Sequence, residues 1–287
     1  MRKIELLSPA KDLICGIEAI NHGADAVYIG APRFSARVAA GNEIGDIEKL
    51  CNYAHNFGAK VHVALNTILT DNELKECEML IKQLYEVGVD VLIIQDLGLL
   101  TLNLPPLELH ASTQMDNRTP EKVKMLENLG FNRVVLAREL SISEMAKIRQ
   151  QTNIELEAFV HGALCVSCSG QCYLSQAAVG RSANRGACAQ LCRLPYTLTD
   201  ANGNVLLHDK HLLSLKDMNR SDYIEDMILA GISSFKIEGR LKEVEYVKNV
   251  TAFYRQKIDS VLEKLNCEKS SFGKITYHFT PNPVKTF

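Results

Sequence analysis

Three stretches of the sequence decide its fold: GADAVYIG (residues 23–30), GVDVLIIQ (residues 88–95) and GFNRVVLA (residues 130–137). Each opens on a glycine, the residue that commonly ends a helix, and runs directly into β-branched and other apolar residues. A helix that ends in this way and passes at once into a strand is the repeating unit of a parallel sheet with helical crossovers. The three stretches therefore predict an α/β protein.

Strand-like runs of the same kind recur along the rest of the chain. The predicted strands cover residues 4–7, 26–30, 60–66, 89–95, 107–113, 133–136, 154–160 and 233–238. Most are followed by an amphipathic helix, and eight such strands predict a TIM-type (β/α)8 barrel. A doubly wound open sheet is the alternative, but no glycine-rich phosphate turn follows the first strand to support it.

The barrel is predicted to span residues 1–265 and to carry a cysteine-rich insertion, residues 162–215, after strand seven. We expect residues 266–287 to form a tail that begins a further domain absent from this chain. No signal-peptide pattern and no apolar run of roughly 18 residues occurs, so we expect a soluble cytoplasmic protein without a membrane partner. The formal net charge of -2 gives no overall footprint for nucleic acid, and RNA would need a local contact surface.

Polar residues stand at or near the carboxyl ends of the predicted strands, where barrels build their active sites. These residues are Tyr28, Asn66, Gln95, Asp96, His110, Gln114, Arg138, Glu139, Glu157, His161, Glu238 and Arg240. Several of them would cap helices or pair with one another in a purely structural role. As a group they predict a small polar or anionic ligand at the barrel mouth, with Arg138 and Arg240 able to hold a carboxylate bidentately.

Five of the nine cysteines lie close together in the predicted insertion. They are Cys165, Cys168, Cys172, Cys188 and Cys192. Thiolates select zinc, copper(I) or iron–sulfur clusters. The pairs Cys165/Cys168 and Cys188/Cys192 would suit a zinc site, iron–sulfur binding tolerates the wider spacings, and a catalytic or redox thiol is the third possibility.

The same region resembles a known family. The stretch EAFVHGALCVSCSGQC (residues 157–172), followed by NRGACAQLCR (residues 184–193), resembles the signature of the collagenase-like peptidase family U32. The resemblance runs from ELLSPAKDL near the N-terminus to FKIEGRLK (residues 235–242). Chemically understood members of that family are oxygen-independent hydroxylases that act on a ribosomal RNA cytidine, a transfer RNA wobble uridine or ubiquinone precursors.

The resemblance implies a 4Fe-4S cluster held by four cysteines and, for the RNA enzymes, dependence on prephenate. Carried over by position, the ligands fall on Cys165, Cys172, Cys188 and Cys192. Cys168 is left out because RNA-modifying relatives often have tyrosine there. The sequence SANRG…CAQLCR (residues 182–193) is more similar to that of the RNA hydroxylases than to that of the quinone enzymes.

The expected function is therefore iron–sulfur-dependent hydroxylation of a base in ribosomal or transfer RNA, with prephenate as cosubstrate. Arg138 and Arg240 are expected to hold substrate carboxylates, while His161 and Glu238 are expected to transfer protons. One alternative is a peptidase that uses a Cys165–His161 dyad, and another is hydroxylation of a quinone precursor. A zinc-stapled binding module is the non-enzymatic alternative.

Overall fold

The computed structural model describes residues 2–36 and 41–285, and parallel strand pairing closes its main sheet into a barrel. In chain order the strands are β1 (Lys3–Ala10), β2 (Ala26–Gly30), β3 (Lys60–Leu65), β4 (Val91–Ile94), β5 (Glu108–Ala111), β6 (Arg133–Val135), β7 (Glu155–Gly162), β8 (Tyr196–Thr199), β9 (Val205–Lys210), β10 (Met218–Asn219), β11 (Ser234–Ile237) and β12 (Glu268–Lys269). Strands β1 to β7 pair in order, and β11 joins β7 to β1. The predicted eight-stranded barrel is confirmed.

Seven helices of the described residues cover the outside of this barrel, and an eighth, α6, lies in the segment between β7 and β10. In chain order the helices are α1 (Leu13–Asn21), α2 (Ile44–His55), α3 (Asp71–Glu86), α4 (Pro120–Asn128), α5 (Ile142–Arg149), α6 (Leu174–Val179), α7 (Ile224–Leu229) and α8 (Val244–Leu265). Their apolar faces and the outward faces of the strands form one continuous core. Strand β4 is followed only by a short 3-10 helix, because Pro105 and Pro106 interrupt the short connection to β5.

Helix α3 begins at Asp71, and the preceding residue, Thr70, caps it and forms a capping box with Glu73. The Thr70 amide donates to the Glu73 carboxylate over 2.8 Å. The capping box supplies partners for backbone N–H groups that the first helical turn would leave unpaired.

The chain leaves the barrel after β7 and returns to it at β10, and residues 163–217 between these strands form an excursion from the barrel. Met218 of β10 pairs antiparallel with Gly162 of β7, so the excursion starts and ends at adjacent points. Within it lie α6, two 3-10 turns and the β8–β9 hairpin. This excursion carries the five clustered cysteines and lies at the carboxyl end of β7, where a barrel places its active site.

The last described stretch of the chain lies against the opposite, amino-terminal end of the barrel. Strand β12 pairs with the beginning of β1, and the Ser271 hydroxyl donates to Asp25 over 2.6 Å. Asp25 also pairs with the buried Arg255 of α8. The tail of residues 266–287, of which 286–287 lie outside the described residues, therefore begins as a packed segment, and a further domain beyond it stays a prediction.

Charged side chains fill the lower part of the barrel, where most barrels have aliphatic ones. The Arg133 guanidinium of β6 bonds to Glu5 of β1 and Glu157 of β7 inside the barrel, and to Glu155 at its rim. Lys236 of β11 donates to the other Glu157 oxygen over 2.7 Å. Burial alone would raise the pKa of Glu157, but Lys236 and Arg133 more than offset it and lower that pKa to about 2.

His110 and Glu157 were expected at the barrel mouth, and this expectation is wrong. Both side chains lie inside the barrel, where His110 stands opposite Arg133 in the strand register. The β5 and β7 strands continue for one or more residues beyond these positions, so the side chains point into the lumen below the strand ends.

Among the described residues, none of the helices combines the length and the apolar composition that a membrane span requires.

Replacing Arg133 by methionine should destabilise the barrel by about 3–5 kcal/mol, because it leaves the buried Glu5 carboxylate without its cation and Glu157 with Lys236 alone. The free energy of unfolding, measured by urea titration, tests this expectation. The matched control is Glu155→Gln, which removes the Arg133 partner whose side chain is 57% exposed and should cost no more than about 1 kcal/mol. Equal losses for the two variants would contradict the buried-network interpretation.

Candidate functional site

A cavity of about 390 Å³ lies between the strand ends of the barrel and the cysteine-bearing excursion. It is lined by Arg138, Ala163, Leu164, Cys165, Cys188, Gln190, Cys192, Arg193, Glu238, Gly239, Leu241 and Lys242. Three of the four predicted ligand cysteines thus share one cavity with Arg138 and Glu238. Elements far apart in sequence form its two sides, the excursion on one and the loops after β6 and β11 on the other.

The fourth predicted ligand, Cys172, lies near the same group. Burial raises the pKa of the Cys192 thiol, Arg193 lowers it, and the thiols of Cys165, Cys188 and Cys172 raise it again, with a net upward shift. Such charge interactions require proximity, so the structure brings the four thiols to one region. All nine cysteines are free thiols.

Cys168 makes a different contact. Its sulfur accepts a hydrogen bond from the Arg118 guanidinium over 3.5 Å, and Arg118 lies in the loop between β5 and α4. Residues 168–171 form a turn that Ser169 fixes to the barrel. The Ser169 amide donates to the Glu139 carboxylate over 3.0 Å, and the Ser169 hydroxyl donates to it over 2.9 Å. The contact with Arg118 gives Cys168 a local role that needs no metal.

Gly170 lets the same turn approach the barrel closely. It has a positive φ of 76°, and a Cβ atom at this position would lie 1.9 Å from the Gln114 carbonyl oxygen. Only glycine fits such a backbone contact. The sequence shows the glycine but not the approach, which depends on the tertiary position of the β5–α4 loop.

The spacing of the sulfurs bears on which inorganic group they would hold. A single zinc ion with four sulfur ligands at about 2.3 Å requires sulfurs about 3.8 Å apart. Among the described residues, no three cysteine sulfurs lie within 4.8 Å of one another. A 4Fe-4S cluster spaces its ligands more widely, because each cysteine binds a different iron atom. The described sulfurs therefore form no single-ion site as they stand, and thiols gathered in one region are also the donor set of a 4Fe-4S cluster.

Backbone and hydroxyl groups surround Cys188 in a way that suits a charged thiolate. The Gln190 amide donates to the Cys188 sulfur over 3.4 Å. The Ser175 hydroxyl of α6 lies 4.0 Å from the same sulfur and accepts from the Ala189 amide over 3.0 Å. Hydrogen bonds to ligand sulfurs are one of the means by which proteins tune iron–sulfur clusters.

At the mouth of the barrel, Arg138 and Glu238 form an ion pair that borders both the large cavity and a smaller pocket of about 30 Å³ in the barrel. The Arg138 guanidinium stacks on the Phe159 ring, 4.3 Å from its centroid. Arg240 lines the smaller pocket, donates to the Ser35 hydroxyl over 2.7 Å and faces the Tyr28 ring. The two predicted carboxylate-binding arginines therefore meet at one pocket.

Lys236 is a third cation of this pocket that the sequence reasoning missed. Its ammonium lies 4.4 Å from the Tyr28 ring centroid, and burial lowers its pKa despite the opposing effect of Glu157. The signal was present in β11 and the residue after it, SFKIE, which alternates polar and apolar side chains. Alternation in a barrel strand means polar residues inside, so Lys236 and Glu238 face the lumen together.

His161, a predicted proton-transfer residue, does not line either pocket among the residues described. A β-bulge shifts the register so that Lys236 pairs with Phe159 but Ile237 pairs with His161. The bulge turns His161 toward α8, where Nδ1 lies 3.3 Å from the Tyr254 hydroxyl. Burial lowers the pKa of His161, which favours the neutral imidazole.

One further group of metal-ligating residues occurs in the described structure. His62, His110 and Glu157 lie together in the lumen, and both ring nitrogens of His62 are buried without a hydrogen-bond partner. Both Glu157 oxygens already accept hydrogen bonds from the cations Lys236 and Arg133. Two adjacent positive charges oppose a metal cation, so we interpret this group as part of the polar lumen.

The sequence profile of peptidase family U32 matches residues 11–282. The 23S rRNA 5-hydroxycytidine C2501 synthase of Escherichia coli (strain K12) is 54% identical over 99% of this chain and 44% of its own length. The tRNA hydroxylation protein P1 of Bacillus subtilis (strain 168) is 37% identical over 90% of this chain and 64% of its own length. This chain thus spans less than half of the first relative and just under two thirds of the second.

A solved structure of the U32 peptidase Mk0906 has a similar fold. The TM-score is 0.53 at 14% identity, and the match covers 83% of this chain and 93% of the other. At that identity the likeness concerns the fold alone. The profile match over nearly the whole length, together with the close relatives, shows that the chain belongs to peptidase family U32.

Proposed function

We propose that this protein is an iron–sulfur-dependent, oxygen-independent hydroxylase of a base in ribosomal or transfer RNA, with prephenate as cosubstrate. One observation carries the proposal: a single cavity has Cys165, Cys188 and Cys192 on one side and the Arg138–Glu238 pair on the other. A redox cofactor held by the thiols would face a ligand held by the barrel. The RNA-modifying relatives support the choice of substrate.

In this proposal, Cys165, Cys172, Cys188 and Cys192 hold a 4Fe-4S cluster. The thiols that share one cavity wall and the Gln190 amide directed at Cys188 support this assignment. When bound, the cluster supplies one-electron transfer at the wall of the cavity. Cys168 takes no part, because its sulfur faces Arg118.

Arg138, Arg240 and Lys236 bind the carboxylates of prephenate. Prephenate carries two carboxylates, and a guanidinium binds a carboxylate through two parallel hydrogen bonds. The Phe159 ring fixes the plane of the Arg138 guanidinium, and Ser35 holds Arg240. Because both arginines are already oriented, less side-chain entropy is lost on binding.

Glu238 is the proton-transfer group of the proposal. In the structure its carboxylate accepts from Arg138, and its backbone carbonyl accepts from the Tyr246 hydroxyl over 2.8 Å. An incoming carboxylate that pairs with Arg138 would release Glu238 from this ion pair. A carboxylate whose pairing with one cation is weakened becomes a stronger base, so ligand binding at Arg138 would favour proton uptake by Glu238.

The apolar part of the cavity wall suits the face of a nucleobase. Ala163, Leu164 and Leu241 form this part, next to the polar groups of Gln190 and Lys242. A base inside a folded RNA reaches such a cavity only by leaving its stack. Because the formal net charge is -2, contacts with RNA phosphates would have to come from individual cations near the cavity. Lys242 at the cavity and the exposed Arg181 are candidates.

The geometry gives less support to a peptidase. A thiol nucleophile at Cys165 would need a base within hydrogen-bond reach. His161 faces the tyrosines of α8 rather than the cavity, with its ring 5.4 Å from that of Tyr254. Cys165 therefore shares its cavity with cations and other thiols but not with the expected base.

The protein purified without oxygen should be brown, absorb near ~400 nm and contain about four irons per chain. Serine at Cys165, Cys172, Cys188 or Cys192 should remove most of the iron, because an alcohol replaces a thiolate ligand. Cys168→Ser is the matched control and should retain it. Stoichiometric zinc without iron in the wild-type protein, or equal iron loss in Cys168→Ser, would contradict the ligand assignment.

Replacing Arg138 by glutamine should raise the KM for prephenate about tenfold to a hundredfold, since a charge-assisted hydrogen bond contributes about 1.5–3 kcal/mol. The assay measures hydroxylated nucleoside formed by the cluster-loaded enzyme at varied prephenate concentration. Arg118→Gln, which removes a guanidinium outside both pockets, should leave the KM unchanged. An unaltered KM in Arg138→Gln would remove Arg138 from the binding site.

Deleting the gene should remove one hydroxylated pyrimidine from the nucleoside mass profile of ribosomal or transfer RNA. Returning the wild-type gene should restore it, whereas a gene with Cys188→Ser should not, because the cluster is needed for the reaction. A profile that is identical with and without the gene would rule out RNA as the substrate.

A further inference from the structure

The Arg193 guanidinium joins three separate segments of the cysteine-bearing excursion. Its Nη1 donates to the Ser214 hydroxyl over 2.7 Å and to the Leu215 carbonyl over 3.3 Å. Its Nη2 donates to the Leu164 carbonyl. The Arg193 backbone is held as well, because its carbonyl accepts from Nδ1 of His211 over 2.9 Å.

These contacts connect the first and last of the four ligand cysteines. Leu164 directly precedes Cys165, and Arg193 directly follows Cys192. The hydrogen bond from Arg193 to the Leu164 carbonyl is thus a direct link between the two ends of the ligand set. Ser214 and Leu215 extend that link to the stretch that leads back to β10.

The same guanidinium brings a positive charge to the thiols. Arg193 directly follows Cys192 in the chain and lines the cavity together with Cys165, Cys188 and Cys192. Four thiolates give a cluster site net negative charge, and reduction adds one more. A fixed cation beside the site favours the more negative, reduced state and so raises the reduction potential.

We propose that Arg193 is a positioning residue for the iron–sulfur cluster, which holds the Cys165 and Cys192 segments together and raises the reduction potential of the cluster. The inference rests on the proposed function, because it requires that the thiols hold a cluster. It assigns two separable effects to one side chain. The planar donor fork fixes the segments, and the charge sets the potential.

Two substitutions separate these effects. Arg193→Gln removes the fork and the charge, so it should lower the midpoint potential and speed iron loss to a chelator by about 10–100-fold, the usual effect of removing a residue that orients metal ligands. Arg193→Lys keeps the charge but not the fork, so its potential should stay near that of the wild type while iron loss remains fast. Both quantities are measured anaerobically on the cluster-loaded full chain, the potential by titration of the ~400 nm absorbance.

Lys210→Gln is the control for charge alone. Lys210 is an exposed cation on strand β9 of the excursion and is not among the residues that line the cavity, so the variant should keep the wild-type potential and iron retention. Ser214→Ala covers the case in which Arg193→Gln does not fold. It removes one acceptor without changing the charge, and it should speed iron loss while leaving the potential unchanged.

The possible failures can be told apart. A wild-type chain that takes up no iron overturns the proposed function and this inference with it. A wild-type chain that holds the cluster, with Arg193→Gln equal to it in potential and iron retention, overturns this inference alone. A Lys210→Gln variant that lowers the potential as much as Arg193→Gln overturns the specific electrostatic role of Arg193.

Discussion

The ion pairs of Arg133 inside the barrel are the interaction on which the rest of the structure depends. Arg133 belongs to β6 and reaches Glu157 on β7 and Glu5 on β1, while Lys236 of β11 binds the same Glu157. These four strands are the ones that close the sheet into a barrel. Buried charges tolerate few alternative partners, so the network favours one strand register around the closure.

The functional cavity inherits its geometry from that closure. Because β7 and β11 are neighbours, the residues that follow them, Leu164 and Cys165 on one side and Glu238 on the other, lie against the same space. The cations of the mouth come from this part of the barrel and from the loop after β6. A ligand bound there would contact both the barrel and the excursion that carries the thiols.

The sequence predicted the barrel well because the signals for its strands are local. Glycine followed by a β-branched run marks β2, β4 and β6, and each strand was placed within a few residues. The errors concern the direction of side chains. His110 and Glu157 were placed at the mouth, although the predicted strands run past them to residues 113 and 160, and both side chains lie in the lumen below the strand ends. His161 was assigned to the mouth because the bulge in β7, which reverses the alternation, arises from pairing with β11.

The candidate site was only partly visible in the sequence for the same reason. The cysteines were identified because clustered thiols commonly bind metals. Arg138, Glu238 and Arg240 were identified because they stand at or just after the ends of predicted strands, where barrels place their active sites. Lys236 lies within β11 and was therefore assigned to the strand rather than to the site. The alternation of polar and apolar residues in β11 nevertheless indicates that Lys236 and Glu238 lie on the same face of the strand. The hydrogen bonds of Arg193 were not accessible from sequence, because its partners Leu164 and Ser214 are distant along the chain and meet it only in the folded protein.

The adjacency of Gly162 and Met218 has a consequence for the order of assembly. When β7 and β10 pair, the two ends of the excursion are already side by side, so the entropy of closing this long loop is lost when the barrel folds. The thiols are therefore carried by a loop that the barrel anchors at both ends, and movements of the cysteines within it need not disturb the pairing of β7 with β10.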